Sequence, residues 1–257
     1  MPTHRFQSVV EPSIAAIPLR ERSRGRPVSV LTAQDKAALT SISSVVELRK
    51  GDFAYRAAAP AESIYNLVQG VVKTFVSRPD ETAHVSGFHF PGDIFGLAEQ
   101  GEYIEAAEAI VPSVAYKIPI GALEDLLSSN KGLAVRFIHR LAHGLRAKHR
   151  HALLLSRHDA VGKVAMFLRM LEGLGGARGP GGTLYFPMTR SDAADYVGLT
   201  LEAVSRAFNL LAKQRIVAFV DRHHFHVLDR ERLDAVSEGM KDALAARPKS
   251  TVRKRAK

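Results

Sequence analysis

The 257-residue chain contains no cysteine and no tryptophan. Without cysteine it can hold no disulfide framework, no thiolate zinc site, no cysteine-ligated iron–sulfur cluster and no cysteine nucleophile. No stretch approaches the roughly 18–20 consecutive apolar residues that span a bilayer, so no membrane partner is expected. The opening residues, MPTHRFQSVVEPS, lack the apolar core of a secretory signal. No phosphate-binding loop, Gly-x-Ser-x-Gly elbow or kinase signature occurs either, so neither an enzyme nor a catalytic residue is expected. Acidic residues are the minority charge: 26 Asp and Glu face 36 Lys and Arg, for a formal charge of +10. What is present, 46% hydrophobic residues, is ordinary for a folded protein. One or two domains follow from the length, and a cytoplasmic protein with a polyanionic partner is the starting expectation.

The charge is unevenly spread. Residues 1–29 carry +3, residues 30–130 carry −6, residues 131–240 carry +7 and residues 241–257 carry +6, ending in Arg253-Lys254-Arg255. The organisation expected is a flexible basic arm (1–29), an acidic β domain (30–130), a long helix (131–157), a basic domain (158–240) and a basic tail (241–257).

From Ser41 to Ile120, short alternating apolar segments lie between turn signals. They include Val45–Leu48 before Lys50-Gly51-Asp52, Ser63–Val68 before Gln69-Gly70, Val71–Val76 before Pro79-Asp80, and His84–Phe90 before Pro91-Gly92-Asp93. Such spacing argues a small β-sandwich or roll. The ordered recurrence of Lys50-Gly51-Asp52, Tyr65-Asn66-Leu67-Val68-Gln69-Gly70 and Phe90-Pro91-Gly92-Asp93-Ile94-Phe95-Gly96-Leu97 resembles the cyclic-nucleotide-binding roll of the CRP/FNR transcription-factor family. In that family, cyclic AMP binders place a glutamate after the glycine of the third turn and an Arg-Ser pair on the cyclic phosphate. Here the corresponding residues are Leu97 and, near the second position, Glu105 and Ala106, and no arginine occurs between Arg78 and Arg136. A phosphate would face Glu102, Glu105 and Glu108 without a guanidinium clamp, which is repulsive. No nucleotide and no cofactor is expected.

Gly121 to Asn130 reads as a short helix and Leu133 to about Arg157 as a long one. Along the latter, Ile138, Leu141, Leu145, Ala152 and Leu155 recur near the heptad spacing, a seam for a partner helix. A helix packed on its own β domain fits the same pattern, and both can hold at once. The resemblance implies a homodimer formed through this seam.

The basic half is the most informative. Asp159 can cap a helix that runs to a Gly-rich loop at 173–182, and Leu184–Pro187 reads as a short edge strand. Thr189 caps a helix that Gly198 breaks, and Thr200 caps the next, with Leu201, Val204, Phe208 and Leu211 turned inward. Two helices joined by a Gly turn form a helix-turn-helix. On the second, Glu202, Ser205, Arg206 and Asn209 share one face. Arginine can take guanine O6 and N7, glutamate can accept from cytosine N4, and serine can reach phosphate or a base. The bland alternative is a solvated face with one i,i+4 ion pair. Ile216–Val220 and Phe225–Leu228 form a hairpin, the wing of a winged helix, and a final helix is expected from Arg230 to Ala245. Thr189, Arg190, Thr200, Lys213, Arg215 and Arg222 are candidate phosphate contacts, which position rather than specify.

His223, His224 and His226 cluster on the wing, and His139 and His143 are four apart on the long helix. Neither set has a further ligand at metal-site spacing, so no metal is expected and a solvated helix face and a wing near phosphate account for them.

Thr-x-Glu-x-x-Ser-Arg after the Gly turn resembles the FNR-type recognition helix, and the branch resembled is the FixK-like one, which lacks the FNR cysteine cluster. The fold implied is α+β: a cyclic-nucleotide-binding-like roll, a long dimerisation helix and a C-terminal winged helix-turn-helix. The function implied is a sequence-specific regulator, usually an activator, binding double-stranded DNA at a palindrome of TTGAT-type half-sites and working with RNA polymerase. Such regulators commonly control microaerobic, denitrification or nitrogen-fixation genes. The alternatives are a sensor using the roll for haem or a small metabolite, which could be a repressor, and a bare nucleotide-binding module.

Overall fold

The computed structural model describes residues 11–17, 28–77, 83–157, 159–173, 182–240 and 244, and the structural statements below concern these. Arg253-Lys254-Arg255, Ala245 and most of the expected basic tail lie outside them. The chain divides into two compact units, Met1–Arg150 with Gly173–Gly176, and the remainder.

In the first unit the alternating segments become strands because every second side chain can turn into a shared core. One sheet has the order β3 (Ser44–Leu48), β10 (Ser113–Pro119), β5 (Ser63–Gln69), β8 (Ile94–Phe95), and the other β4 (Phe53–Tyr55), β9 (Ala106–Ala109), β6 (Val72–Ser77), β7 (Ala83–His89). All pairings are antiparallel. Leu48, Tyr55, Tyr65, Leu67, Val72, Phe95, Tyr103 and Ala107 form one core cluster drawn from both sheets. A second cluster joins Ile64, Ile94, Tyr116 and Ile118 to the helices α1 (Ala33–Ile42), α2 (Ile120–Ser129) and α3 (Lys131–Leu155) through Leu39, Leu123, Leu133 and Phe137. Helix α1 was not anticipated, although its signal is plain: Thr32 and Asp35 form a reciprocal capping box, with Asp35 N donating to Thr32 Oγ1 at 3.2 Å and Thr32 N to Asp35 Oδ2 at 2.8 Å.

The expectation of a flexible arm over 1–29 does not hold for residues 11–17 and 28–29. Ala15–Ala16 (β1) pairs with Val28–Ser29 (β2), and Ile14 and Ala16 are fully buried, Ile14 in the second cluster. The segment is short but alternates, so its apolar side chains face inward while its main chain finds partners. Helix α3 also departs from expectation. His143, expected on a solvated face, is buried, as are Arg140 and His151.

The second unit contains α4 (Ala160–Gly173), β11 (Leu184–Tyr185), α5 (Arg190–Val197), α6 (Leu201–Lys213), β12 (Val217–Phe219), β13 (His224–Val227) and α7 (Arg230–Ser237). Gly162 N donates to Asp159 Oδ1, placing the expected cap on α4. The expected wing hairpin is β12 with β13, and β11 adds to its far side to give the order β11-β13-β12. Helix α7 is shorter than expected, ending at its C-cap Glu238. Among the described residues no helix is long and apolar enough to cross a membrane.

Candidate nucleic-acid interface

Local sequence chemistry sets the turn between α5 and α6. Thr189 Oγ1 accepts from Asp192 N at 3.0 Å while Thr189 N donates to Asp192 Oδ2 at 3.1 Å, closing a capping box. Gly198 stops α5 in the left-handed region (φ 64°, ψ 51°), and its N–H donates back to Ala194 and Asp195 carbonyls. A β-carbon there would strain the backbone and lie 3.2 Å from Leu155 Cδ2. Two residues later Thr200 restarts the helix, its Oγ1 accepting from Ala203 N at 3.2 Å.

Helix α6 is strongly two-faced. Val204, Ala207, Phe208 and Leu211 are buried. Leu201, expected to turn inward, is instead 51% exposed, because it occupies the first helical position, ahead of where the buried stripe begins. Glu202, Ser205, Arg206 and Asn209 lie on the opposite side. The side chains of Glu202 and Arg206 are 76% and 69% exposed and meet at 2.8 Å, while Ser205 Oγ donates to Leu201 O at 2.8 Å. At that exposure the ion pair is worth only about 0.3–0.5 kcal/mol, so it costs little to open.

Of the candidate phosphate contacts, Thr189, Thr200, Lys213, Arg215 and Arg222 are exposed. Thr200 Oγ1 accepts in its cap, which leaves its O–H to donate, whereas the Thr189 hydroxyl also donates to Asp192 Oδ2 at 2.6 Å. Arg190 is different. Its guanidinium carbon sits 3.6 Å from the Phe208 ring centre, 4.6 Å from Phe219 and 5.0 Å from Phe186. Burial pulls its pKa from 12.5 to about 10, and its Nη1 is buried with no hydrogen-bond partner. It remains a cation at neutral pH, gripped by ring faces from the recognition helix, the wing and the residue after β11. Arg222 lies in the wing loop, where Val220 N donates to His224 O at 2.9 Å. Two wing histidines are tied into the scaffold: a His224 ring nitrogen meets the Asp221 carboxylate at 2.9 Å, and a His223 ring nitrogen meets Phe186 O at 3.1 Å. No group of three or more His, Asp or Glu at metal-binding spacing occurs among the described residues.

On α3 the five expected seam residues fall into two sets. Ile138, Leu141, Leu145 and Ala152 are exposed, with Leu145 at 72%, and Leu155 is half-buried near Gly198. Val135 and Leu153, not anticipated, are also exposed.

In the roll, aromatic side chains gather around the turn at Gly96. Tyr55 and Tyr103 stack with ring centres 3.8 Å apart, and Tyr65 lies 5.5 Å from Tyr55, crowding the turn at Gly96. Leu97 points outward, Ala106 and Ala107 are buried, and the Glu105 carboxylate accepts from Ser86 Oγ. Ser86 Oγ also lies 3.0 Å from Thr74 Oγ1, whose hydroxyl can donate to it, and Thr74 Oγ1 lies 3.3 Å from His89 Nε2. Burial and the nearby Lys148 and Arg140 push His89 down to about 3, so it is neutral.

A roll, a long helix and a winged helix-turn-helix with an exposed polar recognition face define a DNA-binding transcription regulator. Comparisons with known proteins agree. Residues 45–130 match the cyclic nucleotide-binding domain and residues 162–236 the Crp-like helix-turn-helix domain. The chain is 32% identical over 178 residues to the transcriptional activatory protein AadR of Rhodopseudomonas palustris, covering 69% of this chain and 74% of that one. It is 29% identical over 216 residues to the nitrogen fixation regulation protein FixK of Bradyrhizobium diazoefficiens, covering 82% and 91%. The solved structure of FixK2 from Bradyrhizobium japonicum superposes with a TM-score of 0.70 at 32% identity, covering 76% of this chain and 97% of that one. The chain belongs to the CRP/FNR family of transcription regulators.

Proposed function

We propose that this regulator is an activator that binds, as a homodimer, a palindrome of TTGAT-type half-sites, and does so without a cyclic nucleotide. The observation that carries the reading is the α6 face, where Glu202, Ser205, Arg206 and Asn209 stand clear of the buried stripe and are held by a preformed N-cap. Arg206 takes the guanine and Glu202 accepts from a cytosine amine, while Ser205 and Asn209 complete the base-reading edge. Thr189, Arg190, Thr200, Lys213, Arg215 and Arg222 fix the register on phosphates. Ile138, Leu141, Leu145, Ala152 and Leu155 form the seam with the second copy, as a two-fold DNA site demands. RNA polymerase is the second macromolecular partner, the protein works in the cytoplasm, and it has no catalytic role. The names of AadR and FixK, an activator and a nitrogen-fixation regulator, support the direction of control. Independence from cyclic nucleotides is supported by Leu97, Glu105 and the tyrosine stack around Gly96. Selection from random DNA, followed by calorimetry with cyclic AMP and cyclic GMP, tests both halves. Arg206→Ala is expected to lose about 1–3 kcal/mol of discrimination at the guanine pair and none elsewhere. An unchanged half-site preference in that variant, or micromolar nucleotide binding, would sink the corresponding half.

A further inference from the structure

Residues 11–17 are held by main-chain hydrogen bonds on both sides, together with the buried Ile14 and Ala16 and a Lys36–Glu11 ion pair at 2.9 Å. The buried side chain of Asn66 accepts from Ser13 N at 3.0 Å and donates to Ser13 O at 2.7 Å. Ala15 N donates to Gly92 O at 2.9 Å, and Gly92 (φ 94°) can stand so close only because it has no β-carbon, which would fall 2.6 Å from Ala15 Cβ. From the other side α3 supplies two arginines. Arg140 Nη1 donates to Ala15 O at 3.1 Å while its Nη2 meets Asp93 at 2.8 Å, and Arg146 Nη2 donates to Ile17 O at 2.8 Å. The segment therefore has the roll on one side and α3 on the other, with Ile14 in the same cluster as Leu133 and Phe137. It lies outside both matched family domains, which begin at residues 45 and 162.

We propose that residues 11–17 are a tethered effector: an extended peptide, held by main-chain recognition in a groove between the roll and α3, that fixes α3 against the roll and so sets DNA affinity without an external ligand. A groove that reads backbone carbonyls and amides selects an extended strand of small and β-branched residues, as at a sheet edge. Arg140 is the central element, since one guanidinium joins the segment, the Asp93 turn and the helix, and Asp93 Oδ2 is itself pinned by Phe90 N at 2.8 Å. Fixing the helix in advance removes an ordering cost that a ligand would otherwise meet at binding.

The proposal rests on the DNA-binding reading, so the full-length chain is first shown to bind a selected site. If it selects none, that reading fails on its own, and the tethered effector is then judged by hydrogen exchange of the α3 amides. A protein lacking residues 1–17 is expected to bind the site about tenfold more weakly, within the usual range of coupling between sites, and to exchange faster along the first half of α3. A synthetic peptide of residues 9–19, added in trans, is expected to restore both. Arg146→Gln in the full-length chain removes only the bond to Ile17 O, and is expected to give a smaller change of the same sign. Should the truncated protein not fold, Arg146→Gln decides alone. Unchanged affinity and unchanged α3 exchange in a folded truncated protein, or in Arg146→Gln when it stands alone, overturn the proposal, as does a loss that the peptide does not repair.

Discussion

His143 shows how a single side chain makes the fold depend on pH. It is buried on α3, and burial, reinforced by Arg140, Arg150 and Arg146, lowers its pKa from 6.5 to about 4. Between those values the unfolded chain holds a proton that the folded chain does not. Stability from this group is therefore complete above pH 6.5 and is lost as the pH falls toward 4. The loss approaches roughly 1.4 kcal/mol per pH unit at most. Urea unfolding across that range is expected to show the slope, and His143→Leu to reduce it, leaving the part due to His89. Arg190 carries a different lesson at the same scale. With its guanidinium against three phenylalanine rings, Arg190→Ala is expected to destabilise the second unit by about 1–2 kcal/mol even in the absence of DNA. An arginine that touched phosphate alone would leave the melting curve where it was.

Among the elements, the α5–α6 pair depends most on single residues. Thr189→Ala removes half of a capping box and is expected to cost about 1 kcal/mol. Gly198→Ala forces a left-handed alanine and presses it on Leu155, for about 1–2 kcal/mol or more, both read by chemical denaturation. These elements were legible in the sequence because every signal that builds them falls between Thr189 and Leu211, so local chemistry suffices. Helix α3 was legible only in part. Its apolar stripe of Ile138, Leu141 and Leu145 is exposed, while the same helix buries His143 and also Arg140, which meets Asp93 and Ala15, far away in sequence. The segment 11–17 was not legible at all. Its partners, Asn66, Gly92, Arg140 and Arg146, become partners only after the roll has closed, and nothing in the segment itself announces them. Leu201 failed for a smaller reason, since helical periodicity assigns a face but not the position at which burial begins.

For the whole molecule, the formal charge of +10 is a poor guide to the DNA-binding surface, since residues 30–130 carry −6 and residues 131–240 carry +7. What matters is which cations reach phosphate. Arg222→Ala on the exposed wing loop is expected to weaken all DNA sequences alike, and to lower the log–log salt slope by about 0.9 for each phosphate that is no longer neutralised. Leu145→Glu, on the proposed seam, is expected to shift the protein from dimer to monomer in light scattering while the chain keeps its fold by circular dichroism, because that side chain is 72% exposed within one chain.

The bonds that hold residues 11–17 also constrain the order in which the protein can be assembled during synthesis. Arg140 reaches Ala15 across 125 residues and Arg146 reaches Ile17 across 129. The segment's strand partner Val28–Ser29 and the side chain of Asn66 follow it off the ribosome first, but the arginine bonds cannot form until α3 has been made. Closing so long a loop is slow compared with local helix formation, so the contacts of this segment with α3 are among the last of the first unit to be made.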